Sequence, residues 1–324
     1  MQVAEVAQFG GPEVLRTSDI PEPVPGRGEV VIDVVAADVL WVETMIRRGD
    51  GGEYFDVTPP YVPGNGVAGR VRSVGGGIDP EWIGRDVVAH TGERGGYAEQ
   101  VAVPMEKVAA VPDGVGLPEA AALLHDGITA LTLFERNEIG LEDTVLVIGA
   151  SGGLGIMSVQ LGRARAARVV AVGRDGSKLA RIRQLGGADA VIDSEASDWV
   201  EQARRALGDD GATVILDNVG GSVGKSAFSL IAPGGRFSAH GTPSGQFAEI
   251  DPAEADRLGV TVGGIQDVQL TDVEIQRVTG EALAEAAAGR LTPVIGQTFP
   301  LSRAADAHAA IEARTVFGKT LLLP

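Results

Sequence analysis

Residues 145–162 read VLVIGASGGLGIMSVQLG: an apolar β-branched run, a glycine-rich turn and an apolar helical segment in direct succession. This junction constrains the fold more than any other part of the chain. Gly149, Gly152 and Gly155 stand at GxxGxxG spacing, and Ala150-x-Gly152-x-x-Gly155 fits as an alternative frame. The turn out of a buried strand must be tight. The backbone must approach an anion with no Cβ in the way. The helix that follows, GIMSVQLGRARA, must present free N–H groups and the positive end of its dipole. Residues 145–162 meet all three demands, so the segment is expected to hold the pyrophosphate of a dinucleotide.

The surroundings support that reading. From about Pro112 onward, strand-like runs (TVLVIGA, RVVAVG, AVID, TVILDNVG, RFSAHG, GVTVGGI) alternate with helical ones every 20–30 residues. That alternation predicts βαβ units and a doubly wound parallel sheet. Residues 117–140, LPEAAALLHDGITALTLFERNEIG, read as helical, and KSAFSLIAPGG reads as a helix before RFSAHG. The first third is different. Short β-branched runs separated by Gly and Pro predict a compact β-barrel or sandwich. One helical segment, VLWVETMIRRG, interrupts it.

The strand after the glycine turn ends VVAVGRDGSK (169–178). A carboxylate at that strand end would bind a ribose 2′-hydroxyl and mark NAD. Gly173 stands there instead, followed by Arg174 and Lys178. Space and positive charge suit a 2′-phosphate, so NADPH is the expected cofactor. Asp175 lies past the strand end.

Composition removes whole classes of chemistry. With 27 basic and 44 acidic residues, the net charge is −17. A surface this acidic repels phosphate backbones, so no nucleic-acid partner is expected. There is no cysteine. Thiolate zinc sites, disulfides, iron–sulfur clusters and cysteine nucleophiles are therefore excluded together. No apolar run reaches membrane-spanning length, and the first residues lack the pattern of a secretion signal. A cytoplasmic protein without a membrane partner is the expectation.

Six segments together carry a family resemblance. VPGNGVAGRVRSVG (62–75), GGYAEQVAVP (95–104), the glycine turn, LDNVGG (216–221), APGGRF (232–237) and FGKTLLLP (317–324) resemble the medium-chain dehydrogenase/reductase superfamily. Within it the chain is most similar to the zinc-independent NADPH:quinone oxidoreductase (zeta-crystallin-like) branch. The resemblance implies an α/β architecture in which a GroES-like β-barrel catalytic domain (1–117 and 267–324) is split around a Rossmann domain (118–266). It also implies a homodimer paired through residues 259–265. Zinc-dependent members carry ligands where this chain has Leu40, Asn65 and Gly66, none of them a ligand. No metal is expected, and metal-polarised alcohol oxidation is excluded by the donor set.

The resemblance assigns site residues as well. Gly149, Ala150, Gly152, Gly153, Leu154, Gly155, Gly173, Arg174, Lys178, Asn218, Val219, Gly241, Thr242 and Lys319 are expected at the cofactor. Leu40, Trp41, Met45 and Asn65 are expected at the substrate pocket, with Tyr54 and Tyr61 as further wall candidates. Thr129 matches a threonine that approaches the nicotinamide. His125 and His240 are the candidate proton donors, because histidine exchanges protons near neutral pH. Three positions depart from the branch: Leu40 replaces Asn, Met45 replaces Tyr, and Ser194 replaces a Tyr after the third Rossmann strand. The expected reaction is hydride transfer from NADPH to a quinone or an activated C=C carbonyl compound. An enone or enoyl reductase of a biosynthetic pathway is the alternative. A non-catalytic NADPH-binding protein with a structural or regulatory role is a third reading.

Overall fold

A computed structural model describes residues 1–52, 55–92 and 94–324. The chain opens with strands β1 (Gln2–Val6), β2 (Leu15–Asp19) and β3 (Glu29–Val39). Helix α1 (Trp41–Arg48) follows, then β4 (Gly66–Val74), β5 (Asp86–His90), β6 (Gln100–Pro104), β7 (Val108–Ala110) and α2 (Leu117–Leu123). Helices and strands then alternate: α3 (Asp126–Arg136), β8 (Thr144–Ile148), α4 (Gly153–Ala164), β9 (Arg168–Gly173), α5 (Gly176–Leu185) and β10 (Ala190–Asp193). The series continues with α6 (Trp199–Leu207), β11 (Ala212–Asp217), α7 (Gly221–Phe228), β12 (Ile231–Ala239), α8 (Pro252–Leu258) and β13 (Thr261–Gly264). Helix α9 (Asp272–Ala287), β14 (Ile295–Pro300), α10 (Ala304–Glu312) and β15 (Lys319–Leu323) close the chain.

These elements form two compact units. One comprises Met1–His125, Asp272–Ala288 and Pro293–Pro324; the other comprises Asp126–Thr271 and Gly289–Thr292. The first unit therefore extends past residue 117 and resumes after residue 266. Helix α2 is the reason for the first shift: it packs on β3, β4 and β5.

The first unit is built on a seven-stranded sheet in which β14-β15-β3-β4-β5-β7 run side by side and β6 also pairs with β3. Its central strands hold runs of consecutive buried residues, and Val30, Ile32, Val67, Val71, Val87 and Val103 fill one core. The eleven residues of β3 hydrogen-bond to β15, β4 and β6. Four residues at its C-terminal end, Ala36, Ala37, Asp38 and Val39, thereby lie deep inside the unit.

The second unit is a six-stranded parallel sheet ordered β10-β9-β8-β11-β12-β13. Numbered within the unit, that is 3-2-1-4-5-6, and the order reverses between β8 and β11. The central strands are buried on both faces, so they read as continuous apolar runs rather than alternating ones. Leu146, Ile148, Val170, Val172, Ile215 and Phe237 form the core.

Two segments differ from the sequence expectation. Residues 117–140 hold two helices, α2 and α3, with Leu124 and His125 between them. The helix before RFSAHG stops at Phe228, and Ile231 already pairs with Ala212. Pro233 lacks an N–H and Gly234 takes a φ of 74°, so APGG forms an irregularity inside β12 rather than a helix end.

Candidate functional site

Parallel α/β sheets bind ligands outside the carboxyl ends of their strands, at the point where the order reverses. Here that point is flanked by residues 149–153 after β8 and residues 218–220 after β11. The three fingerprint glycines have three separate reasons to be glycine. Gly149 has a φ of 76°, which L side chains rarely adopt, and packs against Asn218 and Val219. At Gly155 a Cβ would stand 2.7 Å from Ala150 Cα and strike the Gly149 carbonyl, so helix α4 approaches the turn only because no side chain is there. Gly152 is exposed and extended, with φ of −81°, and a Cβ there would meet nothing nearer than 3.8 Å. Neither the fold nor the backbone conformation demands glycine at 152. What the glycine leaves open is space at the first turn of α4, whose N–H groups have no intrahelical acceptor. A pyrophosphate fits that cradle.

The turn after β11 is held rigidly. Buried Asp217 accepts the Val219 and Gly220 N–H groups, both at 2.9 Å. Asn218 donates Nδ2–H to the Ile148 carbonyl at 2.7 Å, which leaves its Oδ1 to accept from His240 Nε2 at 2.7 Å. Ser238 Oγ lies 3.0 Å from His240 Nδ1. The ring thus carries its proton on Nε2, with Ser238 as donor on the other side. Burial lowers the His240 pKa to about 4. His240 is therefore neutral at pH 7, and both ring nitrogens are used within the fold. Gly241 sits so close to Asn218 that any side chain would collide with its backbone. Thr242, Val219 and Thr129 are half-buried.

At the end of β9, Gly173 is buried, Arg174 half-buried and Lys178 buried. Desolvation, then the Arg174 charge, lowers the Lys178 pKa. Asp175 is turned away to cap α5: its carboxylate accepts from the Ser177 N–H at 2.9 Å and the Ser177 hydroxyl at 2.6 Å. Ser194 N–H and Oγ both donate to the Gly173 carbonyl, at 2.7 and 2.9 Å. Ser194 thereby fixes the backbone that carries Arg174, a role that sequence reading missed. Two close cations, one of them largely desolvated, favour a doubly charged anion. The cradle and the cation pair together suit a dinucleotide with a 2′-phosphate.

In the first unit, Leu40, Trp41, Met45 and Asn65 are all half-buried. Tyr61 is buried in the core, and Tyr54 lies outside the described residues. Leu40 and Asn65 share a partner that the sequence does not announce. The Leu40 N–H donates to Glu43 Oε2 at 2.8 Å, and the Asn65 N–H to Glu43 Oε1 at 3.1 Å. The Tyr97 hydroxyl donates to the same Oε2 at 2.6 Å and lies 3.0 Å from His308 Nε2. One carboxyl group thus ties together the two backbone segments that carry these pocket candidates.

Glu43 has a pH consequence. Burial, reinforced by Asp38, raises its pKa from 4.5 to about 7. Between those values the folded protein holds a proton that the unfolded chain has lost. Stability therefore falls as pH rises from about 4.5 to 7, by roughly 3 kcal/mol for this group. Glu43→Gln, which does not titrate, is expected to flatten that part of the melting-temperature profile between pH 4.5 and 7. An unchanged slope in the variant would refute the assignment.

Lys319 was expected at the cofactor. Its ammonium is 4% exposed and lies 3.2 Å from Asp38 Oδ2. His125 Nδ1 approaches the same oxygen at 2.8 Å. Among the described residues, no group of three or more His, Cys, Asp or Glu side chains is arranged to hold a metal ion, and no helix is long and apolar enough to cross a membrane.

A glycine cradle at the switch point of a 3-2-1-4-5-6 sheet, joined to a GroES-like unit, defines the nicotinamide-dependent dehydrogenases and reductases. Known proteins agree. A family model described as an alcohol dehydrogenase GroES-like domain matches residues 26–113, and one described as a zinc-binding dehydrogenase matches residues 186–322. The quinone oxidoreductase of Rattus norvegicus is 32% identical over 330 residues, covering 100% of this chain and 98% of the relative. The Escherichia coli quinone oxidoreductase, solved in complex with NADPH, superposes with a TM-score of 0.91 at 25% identity, with both chains covered completely. A mycobacterial protein complexed with NADPH gives 0.89 at 30% identity, again over both whole chains. The chain belongs to the quinone oxidoreductase family of the medium-chain dehydrogenase/reductase superfamily. The zinc-binding wording belongs to the family model, and this chain has no cysteine.

Proposed function

We propose that this protein reduces quinones or conjugated enones with NADPH, without a metal ion. Family membership makes it an NADPH-dependent oxidoreductase. The observation that carries the reading to these residues is the open cradle over Gly152, together with half-buried Arg174 and buried Lys178 after the next strand. Bound NADPH supplies a hydride from nicotinamide C4, and a conjugated carbonyl accepts it because conjugation spreads the resulting negative charge.

Residues 149–155 bind the pyrophosphate through backbone N–H groups and the α4 dipole. Arg174 and Lys178 pair with the 2′-phosphate. Asn218, Val219, Gly241, Thr242 and Thr129 are assigned to the nicotinamide end. His240 serves there by fixing the Asn218 amide. Leu40, Trp41, Met45 and Asn65 line the acceptor pocket. Leu40 and Met45 are apolar where the branch often has Asn and Tyr, which favours an enone over a polar quinone. Strand β13 forms one edge of its sheet and exposes Val262, which supports pairing of two copies through residues 259–265.

Steady-state assays with a quinone panel and an enone panel test the reading. NADPH oxidation dependent on one of them is expected. NADPH binding with no oxidation by either panel would leave the non-catalytic reading in its place.

A further inference from the structure

We propose that His125 delivers the proton of this reaction from its Nε2 atom, and that Asp38 is the positioning residue that holds it ready. The proposal rests on the reductase reading above. Asp38 lies in β3, His125 follows α2 and Lys319 opens β15. All three belong to the first unit. His125 Nδ1 and Lys319 Nζ converge on one oxygen of Asp38, at 2.8 and 3.2 Å. Asp38 is fully buried. Burial alone would raise its pKa, but His125 and Lys319 outweigh that and bring it to about 2. An ionised carboxylate accepts and never donates, so the hydrogen in the contact sits on His125 Nδ1. The ring is left with Nε2 as its working nitrogen. A quarter of the His125 side chain is exposed, which gives the ring access to solvent protons.

Gly66 makes the arrangement possible. A Cβ there would stand 2.9 Å from His125 Cε1 and 3.0 Å from Asp38 Oδ1. Other charges around the ring are accounted for. His90 meets it edge-on with centroids 5.1 Å apart. Burial, helped by His125 and Lys107, lowers the His90 pKa to about 3, so it stays neutral despite nearby Asp38. Thr279 on α9 faces His90 Nε2 at 3.5 Å. Glu43 on α1 is within electrostatic range of both His125 and Asp38. The remaining histidines are poor donors: His240 and His308 are buried, with pKa values lowered to about 4 and about 3.

The step balances. The acceptor takes two electrons and one hydrogen as hydride. The Nε2–H bond of His125 breaks, its electron pair staying on the ring, and an O–H or C–H bond forms on the acceptor. The Nδ1–H of His125 stays donated to the Asp38 carboxylate, and solvent restores the Nε2 proton.

His125→Gln and Asp38→Asn test the assignment, with NADPH affinity from fluorescence titration as the check on folding. His125→Gln is expected to bind NADPH normally and to lose roughly 100- to 1000-fold in kcat, the range for a general acid. Asp38→Asn is expected to lose about tenfold or more, because the ring is no longer held in one tautomer. Added imidazole restores part of the activity of His125→Ala, which a purely structural role would not allow. Variants that bind NADPH and keep kcat within twofold would overturn the proposal. If Asp38→Asn fails to fold, the two His125 variants decide alone. A wild type inactive on both panels overturns the reductase reading itself, and this assignment with it.

Discussion

Gly152→Thr is expected to melt within about 2 °C of the wild type and to weaken NADPH binding at least a hundredfold. The two halves of that expectation have separate causes. Gly152 is the residue that caps α4, and threonine and glycine are about equally good at that position. Its backbone is extended and a Cβ would meet only open space, so the fold does not resist the change. The open space is the proposed seat of the pyrophosphate. A branched side chain there blocks the approach of the anion to the helix N–H groups. Gly155→Ala is the counterpart. Its Cβ would strike the backbone at Gly149 and Ala150, which cannot yield as a side chain would. Overpacking of this kind costs roughly 1–3 kcal/mol, so this variant is expected to melt lower and also to lose NADPH. Thermal melts with and without NADPH, together with fluorescence titration, separate the two. Normal NADPH affinity in Gly152→Thr would place the cofactor elsewhere.

Arg174→Ala is the second large effect. A charge-assisted hydrogen bond contributes about 1.5–3 kcal/mol, which converts to roughly ten- to hundredfold in affinity. The loss is expected for NADPH and not for NADH, which has no 2′-phosphate. Asp175 will not substitute as a ribose ligand in the variant, because its carboxylate is occupied by Ser177 and the start of α5. Dissociation constants for both cofactors, measured on wild type and variant, provide the check. Equal losses would show that Arg174 does not face the 2′-phosphate.

The cofactor half of the site was legible because its chemistry is contiguous. Strand, turn and helix follow one another within residues 144–164, and the glycine spacing is read directly along them. The basic pair was legible for the same reason, four residues apart on one strand–helix junction. Ser194 was not, since its hydrogen bonds reach back 21 residues to Gly173. The break between α2 and α3 was also hidden. Alanine- and leucine-rich sequence continues through it, and only the packing of α2 on β3, β4 and β5 sets that helix apart from the one that follows.

The sequence by itself determined the parallel dinucleotide-binding sheet, the anion cradle and the absence of thiolate chemistry. Those depend on local backbone geometry and on which atoms are present at all. Tertiary structure alone decided the environment of Asp38, His125, Lys319 and Gly66. Asp38 and His125 are 87 residues apart, and Asp38 sits in the run VVAADVL, where nothing marks it as ionised and buried. Desolvation and charge pairing depend on distance in space, not along the chain. The same dependence turns Glu43 from an ordinary helix-start carboxylate into a buried tie between two loops, and leaves His125, among four histidines, with a nitrogen to give away a proton.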